Sequence, residues 1–409
     1  MAGVSQRISK KTVMRRQTGL GVVGAAQGQI MRRTSSVFKA SRAMFTSKEI
    51  VSHHQSTGAS YGLRSTDGTL AGELSAKTYQ MQIEAMLEKI FTTAATLTAS
   101  DIAAVGGATP EFTSGAGAFL TSGFKIGMVV KAANFGGGST NSNGRNFWIT
   151  ALTGGSMVGV FLDNGAIQVA DAAGEAVTLS EVGKRCLVPM TGHVKQYLQV
   201  EEWYGDTLLS DLFDDVIVAS LDFDLPASGN AAFNSSYVGL ARALAITTPV
   251  ITAPTAETTT GIMSAINGRL FVQGVTTPIT GLKISIKNSA ANTGAEVGSN
   301  SPGDVTQDVI EVSGQFTAML RDSTISALYE AETPVSIASV LVADESNPLS
   351  DFMAFTIGRV KITGDAPDDN TAIMRTYPFT AEINPLGTLV GPSLAWDETI
   401  ITIQDSAAV

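Results

Sequence analysis

The alternation of apolar and polar positions is clearest between Tyr61 and Phe91, where it predicts a β-hairpin followed by a helix. The residues TLAGEL at 69–74 alternate with the two-residue period of a strand. The Asp67-Gly68 pair before them predicts the tight turn of the hairpin, because such turns need positive φ at both central residues. Ser75 is then the predicted N-cap, since its hydroxyl can accept a hydrogen bond from a free amide at a helix start.

The helix predicted after Ser75 has one apolar and one polar stripe. The apolar stripe consists of Tyr79, Ile83, Met86, Leu87 and Ile90, and the polar stripe of Gln80, Glu84 and Glu88. This pattern indicates a sheet that one helix covers.

A second alternating segment runs from Val216 to Leu225 and predicts a strand with one wet face. Asp222 and Asp224 lie on its polar side. Two carboxylates could serve as an acid–base pair. No histidine or lysine is next to them in sequence, which favours a charged surface.

Parts of this pattern recur in the second half of the chain, and internal repetition is a strong indicator of architecture. VSGQFTAML at 312–320 parallels TDGTLAGEL at 66–74, and SDFMAFTIGRVKITGDAP from Ser350 parallels SDLFDDVIVASLDFDLP from Ser210. A short helix is predicted after the first of these, with Ser323 as its N-cap.

The repeat extends upstream, where the segment 281–285 is matched to the segment 47–51. The matched segments keep their order, so the sequence predicts a duplicated domain.

The two halves differ by an insertion. In the second half a strand follows the helix almost at once, whereas about 100 residues separate Phe91 from Tyr197. The segment Thr92–Met190 is rich in Gly, Ala, Ser and Thr and contains short apolar strands between turn signals. It is therefore predicted to be a small inserted β-domain, placed where loops tolerate insertions.

Composition supports β-structure and shows an asymmetric charge. Only 16% of the 409 residues are charged and 41 are glycine, and the net charge is −10. The first 48 residues nevertheless hold ten Lys and Arg and no acid. Such a basic arm could bind nucleic acid. It could instead lie on the acidic body of a neighbouring copy, which is the favoured interpretation because the arm has few aromatic residues for base stacking.

Motifs for cofactor or metal chemistry are weak. The glycines at 19–24 match G-x-G-x-x-G, but the segment before them is too polar for a buried strand and no acid follows before Glu49. His53, His54 and His193 have no metal-ligand spacing. The lone Cys186 permits no intrachain disulfide, and no cofactor or metal is expected. We expect a soluble protein made in a cytoplasm, because no apolar run could span a bilayer and the N-terminus lacks a signal-peptide core.

The order of these elements resembles the tail tube (major tail) proteins of long-tailed, non-contractile bacteriophages. The resemblance is carried by MRRTSSVFKASRAMFTSKEI at 31–50, by GTLAGELSAKTYQMQIEAML at 68–87, and by the C-terminal course from ISIKN to the final ETIITI. It covers most of the chain outside the insertion.

This resemblance implies a non-enzymatic virion protein of the tail that is assembled in the host cytoplasm. It implies tube domains with a β-sheet that joins its neighbours around a ring, and rings stacked into a channel for DNA ejection. Six tube domains per ring imply a trimer of a duplicated chain, with a hexamer as the alternative. Implied partners are further copies, tape-measure, tail-terminator and baseplate or tip proteins, and passing double-stranded DNA without specific binding.

The predicted fold class is mainly β with a few helices: sandwich or barrel tube domains, each with a flanking helix, duplicated and carrying the inserted domain. The predicted boundaries are a basic arm at 1–45, a first tube domain at 46–91 and 191–245, an inserted domain at 92–190, a linker at 246–262 and a second tube domain at 263–409.

Three sets of site residues follow from this prediction. Asp222 and Asp224 are candidates for the lumen, with a position on the outer surface as the alternative. Candidates for contacts of the arm between subunits are Arg15, Arg16, Arg32, Arg33 and Arg42. The loops 288–304 and 364–370 are candidates for contacts between rings, with Asp365, Asp368 and Asp369 in the second loop. These three aspartates could also hold a cation, but a polar turn is the favoured interpretation.

Two other classes of function stay open at this stage. One is a secreted or surface adhesion or carbohydrate-binding module, which the lack of an export signal disfavours. The other is a hydrolase on a β-scaffold, but no Gly-x-Ser-x-Gly and no metal-spaced histidines support it.

Overall fold

The computed structural model describes residues 4–24, 27–53, 55–92, 95–226, 228–272, 275–276, 279–368, 372–384 and 395–409. Within these ranges the chain is mainly β-structure with two α-helices, which confirms the predicted fold class at this level.

The elements follow the chain in four groups. The first is β1 (Lys10–Gly19), β2 (Val22–Val23), β3 (Gln29–Ile30), β4 (Ser35–Thr46), β5 (Ala59–Glu73) and α1 (Gln80–Leu87). The second is β6 (Thr96–Ala99), β7 (Ile102–Val105), β8 (Glu111–Ser114), β9 (Val129–Ala133), β10 (Phe147–Leu152), β11 (Ser156–Phe161) and β12 (Val177–Glu181). The third is β13 (Lys184–Leu187), β14 (Leu198–Tyr204), β15 (Leu209–Pro226), β16 (Ala232–Gly239) and β17 (Ala241–Ile246). The fourth is β18 (Gly268–Val272), β19 (Val275–Thr276), β20 (Ile279–Lys287), β21 (Ala291–Asn292), β22 (Val305–Thr306), β23 (Glu311–Met319), α2 (Thr324–Glu330), β24 (Val335–Val342), β25 (Phe352–Ile362), β26 (Ala366–Pro367), β27 (Met374–Ala381) and β28 (Thr402–Asp405).

The turn predicted at Asp67-Gly68 is wrong, because both residues lie inside the continuous strand β5. Gly68 pairs with Phe38 on β4, and a Cβ at Gly68 would collide with the Phe38 ring. The glycine therefore makes room for an aromatic side chain of the core. The hairpin closes earlier in the chain, between Thr46 and Ala59.

The first helix is shorter than its stripes predict. Ser75 Oγ shares a 2.6 Å hydrogen bond with Thr78 Oγ1, and α1 begins only at Gln80 with no side-chain cap. Glu88 ends it in the left-handed conformation with φ of 54°. The predicted face is also partly wrong, since Ile90 is 56% exposed while Glu84 is buried.

The N-terminal segment predicted as a basic arm is folded into the body in this structure. Its strand β1 pairs antiparallel with β14 and buries Val13 and Met14. Two of the charges that made it look like an arm are paired with acids: Lys10 Nζ lies 2.6 Å from Glu202 Oε1, and Arg16 forms an ion pair with Glu84. Acids far away in sequence thus allow a polar segment to become a strand.

Two regions of the chain have the same order of antiparallel strands. The first unit runs β4-β5-β16-β15-β14 and the second unit runs β20-β23-β27-β25-β24. The strand β15 pairs with β20, so a single sheet spans both units. The helix α1 covers the apolar face of this sheet, where Tyr79 stacks on Phe233 with ring centroids 3.9 Å apart.

Residues 96–181 form a separate seven-stranded sheet with its own apolar core. This sheet packs against the second unit, where the Trp148 ring lies 4.6 Å from that of Phe271. The segment 246–262, predicted to be a linker, lies along the first unit. Thr255 forms a β-bridge with Gln29, and Ile262 forms one with Ser75. The domain boundaries themselves stay a prediction.

We expect stability to fall between about pH 4 and pH 6 through Asp405 on β28. Burial raises the pKa of Asp405 to about 6, and its carboxylate accepts hydrogen bonds from the amides of Lys77 and Ala407. The folded state therefore keeps a proton that the unfolded chain releases near pH 4. The associated stability, roughly 2–3 kcal/mol, is present below pH 4 and is lost by about pH 6.

Denaturant unfolding of the wild type and of Asp405→Asn across this range measures the effect. The wild type should lose stability relative to the variant as the pH rises. A constant difference between the two proteins from pH 4 to pH 7 would contradict the assignment.

Candidate assembly surface

The sheet that joins the two units has one apolar and one polar face. On β15, Leu221, Phe223 and Leu225 are buried in the core, while Asp222 and Asp224 lie on the opposite side. The predicted alternation is therefore correct from Ser220 onward. Before it, Val216, Ile217 and Val218 are all buried, because the pairing with β16 shifts register between Val218 and Ser220 and moves Ile217 to the other face of the sheet. Side chains directly opposite each other in a sheet share a face, so the neighbours of the two aspartates extend the polar face across several strands.

The two aspartates on this face are bound to neighbours rather than bare. Asp222 accepts a 2.6 Å hydrogen bond from Ser285 Oγ, and Asp224 Oδ2 lies 3.1 Å from Lys283 Nζ. Both partners are on β20, so these contacts tie the two units together. The face carries serine, threonine and lysine together with aspartate, so it is polar but not purely acidic.

The polar face is concave where the two units meet. It borders a hollow of about 770 Å³ that is lined by residues of β15, β16, β20, β23 and β27. Asp222 and Asp224 both line this hollow. Their place on the lumen of a tube stays a prediction.

The two N-terminal hairpins of the units share their register. Nine of the eleven residue pairs in the β4–β5 hairpin recur 246 positions later in the hairpin formed by β20, β21, β22 and β23. Examples are Ser35–Ala71 and Gly281–Thr317, Ser41–Ser65 and Lys287–Glu311, and Phe45–Ser60 and Ala291–Thr306. In both hairpins the pairing shifts by one residue toward the tip: between Ser41–Ser65 and Phe45–Ser60 in the first, and between Lys287–Glu311 and Ala291–Thr306 in the second.

The other strands of the two units match as well, and the difference in residue number between matching residues is constant along each strand. Corresponding pairs are Leu198–Val216 and Val335–Val360, Leu70–Ser235 and Phe316–Tyr377, and Asn234–Asp222 and Thr376–Ala366. The strand β1 lies on β14 as β18 lies on β24, and β17 lies on β15 as β28 lies on β25.

These pairs correct the details of the sequence repeat. The segment 281–285 corresponds to 35–39 and not to 47–51. Val216 corresponds to Val360, whereas the sequence match of Ser210 with Ser350 would pair it with Thr356, four residues earlier.

The strand β4 has an unpaired outer edge among the strand pairings of the described chain, where it pairs with β5 alone. The strand β20 has the same place in the second unit but is paired on both sides, with β23 and with β15. An unpaired edge of this length is a template for another strand.

The five arginines predicted to contact other subunits all have neighbours within the chain. Arg15 Nε donates to Gln199 Oε1 at 2.5 Å, Arg16 pairs with Glu84, Arg32 donates to Thr260 O at 2.8 Å, and Arg33 donates to Lys10 O. Arg42 lies on the exposed hairpin, with its guanidinium 5.1 Å from the centre of the Tyr61 ring. A role between subunits stays a prediction for all five.

The three aspartates predicted for contacts between rings lie near β26. Asp365 forms an ion pair with Arg375, and Asp368 Oδ1 accepts a 2.7 Å hydrogen bond from the amide of Met374. Asp369 lies outside the described residues. The first two are thus engaged in holding this segment against β27, and their role between rings stays a prediction.

Sites for chemistry are not evident in the described part of the chain. No group of three or more His, Cys, Asp and Glu there could hold a metal ion. Cys186 is buried, and burial raises the pKa of its thiol to about 12, so it is a poor nucleophile at neutral pH. No helix among the described residues is long and apolar enough to cross a membrane.

Comparison with models of protein families shows which family the chain matches. The model of a family described as phage tail tube protein matches residues 10–381. The match begins at the first residue of β1 and ends at the last residue of β27. No curated protein matches the chain.

Proposed function

The chain belongs to the phage tail tube protein family, and from this premise we propose that it polymerises as stacked rings into the tail tube of a long-tailed, non-contractile phage. The rings form the channel through which DNA is ejected. The protein acts as a structural component of the virion tail and is assembled in the host cytoplasm. Tape-measure, tail-terminator and baseplate or tip proteins are its further partners, as the sequence resemblance implies.

The observation that carries this proposal is the shared register of the two units. Two units with the same strands, pairs and bulges are two tube domains, so each chain fills two neighbouring positions of a ring. Six positions per ring then require three chains. The junction of β15 with β20 is one ring contact made inside the chain.

The unpaired edge of β4 supplies the contact that closes the ring. In the proposed ring, β4 of one copy pairs with residues 364–368 of the next copy, as β20 pairs with β15 within a chain. The matching registers place Lys39 opposite Ala366 of the second copy, because Ser285 lies opposite Asp222 inside the chain. The outer edge of β4 is then paired, as a closed ring of sheets requires.

The concave polar face of the sheet lines the bore in this arrangement. Its opposite face is occupied by the core and α1, so the polar face is the one left for solvent and DNA. Short hydroxyl side chains and aspartates offer phosphates little counterion-release gain, and the lysines are balanced by acids such as Asp224. DNA can therefore slide along this face without binding tightly.

Replacing Asp222 and Asp224 together with lysine is expected to retard DNA passage. The change adds cations to every tube position of the first unit, and each cation gains affinity for phosphate through counterion release. We expect ejection into low-salt buffer to slow by about tenfold or more, with recovery as the salt concentration rises. Ejection kinetics of phage assembled with the variant measure this effect.

A double change at Glu257 and Glu345 to lysine is the matched control, because it alters the net charge equally and neither residue lines the hollow of the polar face. The control should eject DNA like the wild type. Normal ejection from tails that contain the Asp222 and Asp224 variant would place these residues outside the bore.

Electron microscopy of the purified protein tests the proposed function itself. We expect rings or tubes with a uniform bore. A monodisperse monomer that binds glycans would instead support an adhesion module.

A further inference from the structure

The loop of the second hairpin, residues 288–310, packs onto the first unit within the chain. Val305 is fully buried in an apolar cluster with Tyr197, Ile217 and Leu240, and Ala290 packs against the same cluster. The strands β21 and β22 hold these residues in place. This loop is therefore the docking device of the junction between the units.

Polar contacts fix the orientation of this loop. Asp304 Oδ2 lies 2.7 Å from Lys195 Nζ, and Asp304 Oδ1 accepts a 2.9 Å hydrogen bond from the Tyr197 hydroxyl. Asn288 is buried, and its Nδ2 donates to Val218 O at 2.9 Å. The docked loop thus has both an apolar plug and specific polar partners.

The corresponding tip of the first hairpin, described at residues 42–53 and 55–63, is not docked on the chain in this way. It has the same register, but its apolar side chains face solvent. Met44 is 62% exposed, Phe45 66% and Tyr61 73%, and Met44 stands 246 positions before Ala290 of the docked loop. Three large apolar side chains on one tip indicate an interaction surface.

The matching registers identify the surface that corresponds to the docking site on the first unit. Ile217 corresponds to Lys361. The difference in residue number between matching strands can be extended a few residues past the paired positions. It then relates Lys195 to Glu332, Tyr197 to Pro334, and Leu240 to Glu382. A cavity of about 230 Å³ lies at this place, lined by Leu328, Tyr329, Glu332, Thr333, Lys361 and Ile362. An opening is therefore present where an apolar plug would enter.

The charges of the two surfaces are complementary. The tip carries Arg42 and Lys48 together with one acid, Glu49, whereas the surface around the cavity carries Glu332 and Glu382. Glu382 is shared by Arg359 and Lys361 at 3.0 and 2.9 Å, so part of its charge is already balanced. Glu332 is exposed and takes the position in the second unit that corresponds to Lys195 in the first unit.

We propose that the β4–β5 tip of one copy docks on the surface formed by Glu332–Pro334, Lys361 and Glu382 of a second copy. This inference rests on the proposed ring function. Met44 fills the cavity beside Thr333 and Ile362, in the place that Ala290 takes in the first unit. The contact is more polar than its intramolecular counterpart, because Lys361 and Glu382 replace Ile217 and Leu240.

Gly58 offers a direct test, because it corresponds to Asp304, the partner of Lys195. A Cβ at Gly58 would meet no atom within 4 Å, so a side chain there is accommodated. Gly58→Lys faces Glu332 and should lower the concentration for ring assembly by roughly two- to fivefold at low salt, whereas Gly58→Glu should raise it. Adding Glu332→Lys to Gly58→Glu should restore assembly.

Met44→Asp adds an apolar test at the cavity and should weaken assembly more than the Gly58 changes, at any salt concentration. Thermal unfolding of the unassembled variants checks that each is folded, as the exposed positions predict. If the wild type forms rings and all four variants assemble as the wild type does, the proposed docking surface is wrong but the ring function stands. Failure of the wild type to form rings would instead overturn the ring function and the docking surface with it.

Discussion

Replacing Arg185 with alanine is expected to lower the free energy of unfolding by about 3–5 kcal/mol. Arg185 Nε lies 2.8 Å from Glu181 Oε1, and its Nη1 lies 2.8 Å from Asp397 Oδ2. These groups join the end of the inserted sheet to the C-terminal region of the second unit. Without the guanidinium, two carboxylates that are only 1% and 12% exposed lose their cation. Burial already raises the pKa of Glu181, so this carboxylate depends on Arg185 for its charge.

Arg242→Ala is the matched control for this prediction. Arg242 Nη2 lies 2.8 Å from Asp211 Oδ1, but both side chains are more than one-fifth exposed. Surface pairs contribute little, so this variant should lose less than about 1 kcal/mol. Equal losses in the two variants, measured by denaturant unfolding of unassembled protein, would show that the buried triad is not a special anchor.

A disulfide between copies is expected when Lys39 and Ala366 are both changed to cysteine. The proposed ring pairs these two positions directly across neighbouring chains, at a separation that a disulfide can bridge. Oxidised rings should therefore run as covalently closed oligomers on a non-reducing gel, with little monomer left. The native Cys186 should not interfere, because it is buried and its thiol pKa is raised.

The corresponding pair inside the chain is Asp222 and Ser285, which supplies a matched control. Asp222→Cys with Ser285→Cys should form a link within each monomer and leave the oligomer ladder absent. Lys39→Cys alone should form neither product. An intrachain link in the control together with no ladder for Lys39 and Ala366 would contradict the proposed closing register.

The sequence predicted the fold class and the wet face of β15 because both depend on local patterns. It misplaced the turn at Gly68, because a glycine that makes room for Phe38 looks the same in sequence as a turn glycine. It missed the strand β1, because the acids that pair Lys10 and Arg16 are distant in sequence. Non-local contacts decided each of these cases.

The sequence predicted a repeat, but in a register four residues away from the one that the strand pairs of the two units share. Similar hydroxyl and small residues occupy many positions of both units, so an alignment by eye can shift by four residues without losing its pattern. The structure fixes the register through hydrogen-bonded pairs and bulges. Only with that register do Gly58 and Glu332, or Lys39 and Ala366, become related positions.

The mass of one isolated ring tests the central claim most directly. If each chain carries two tube positions, a ring measured by native mass spectrometry contains three chains, three times the 42.5 kDa of one chain. A ring of six chains would show that each chain fills one position, and it would contradict the pseudo-equivalence of the two units.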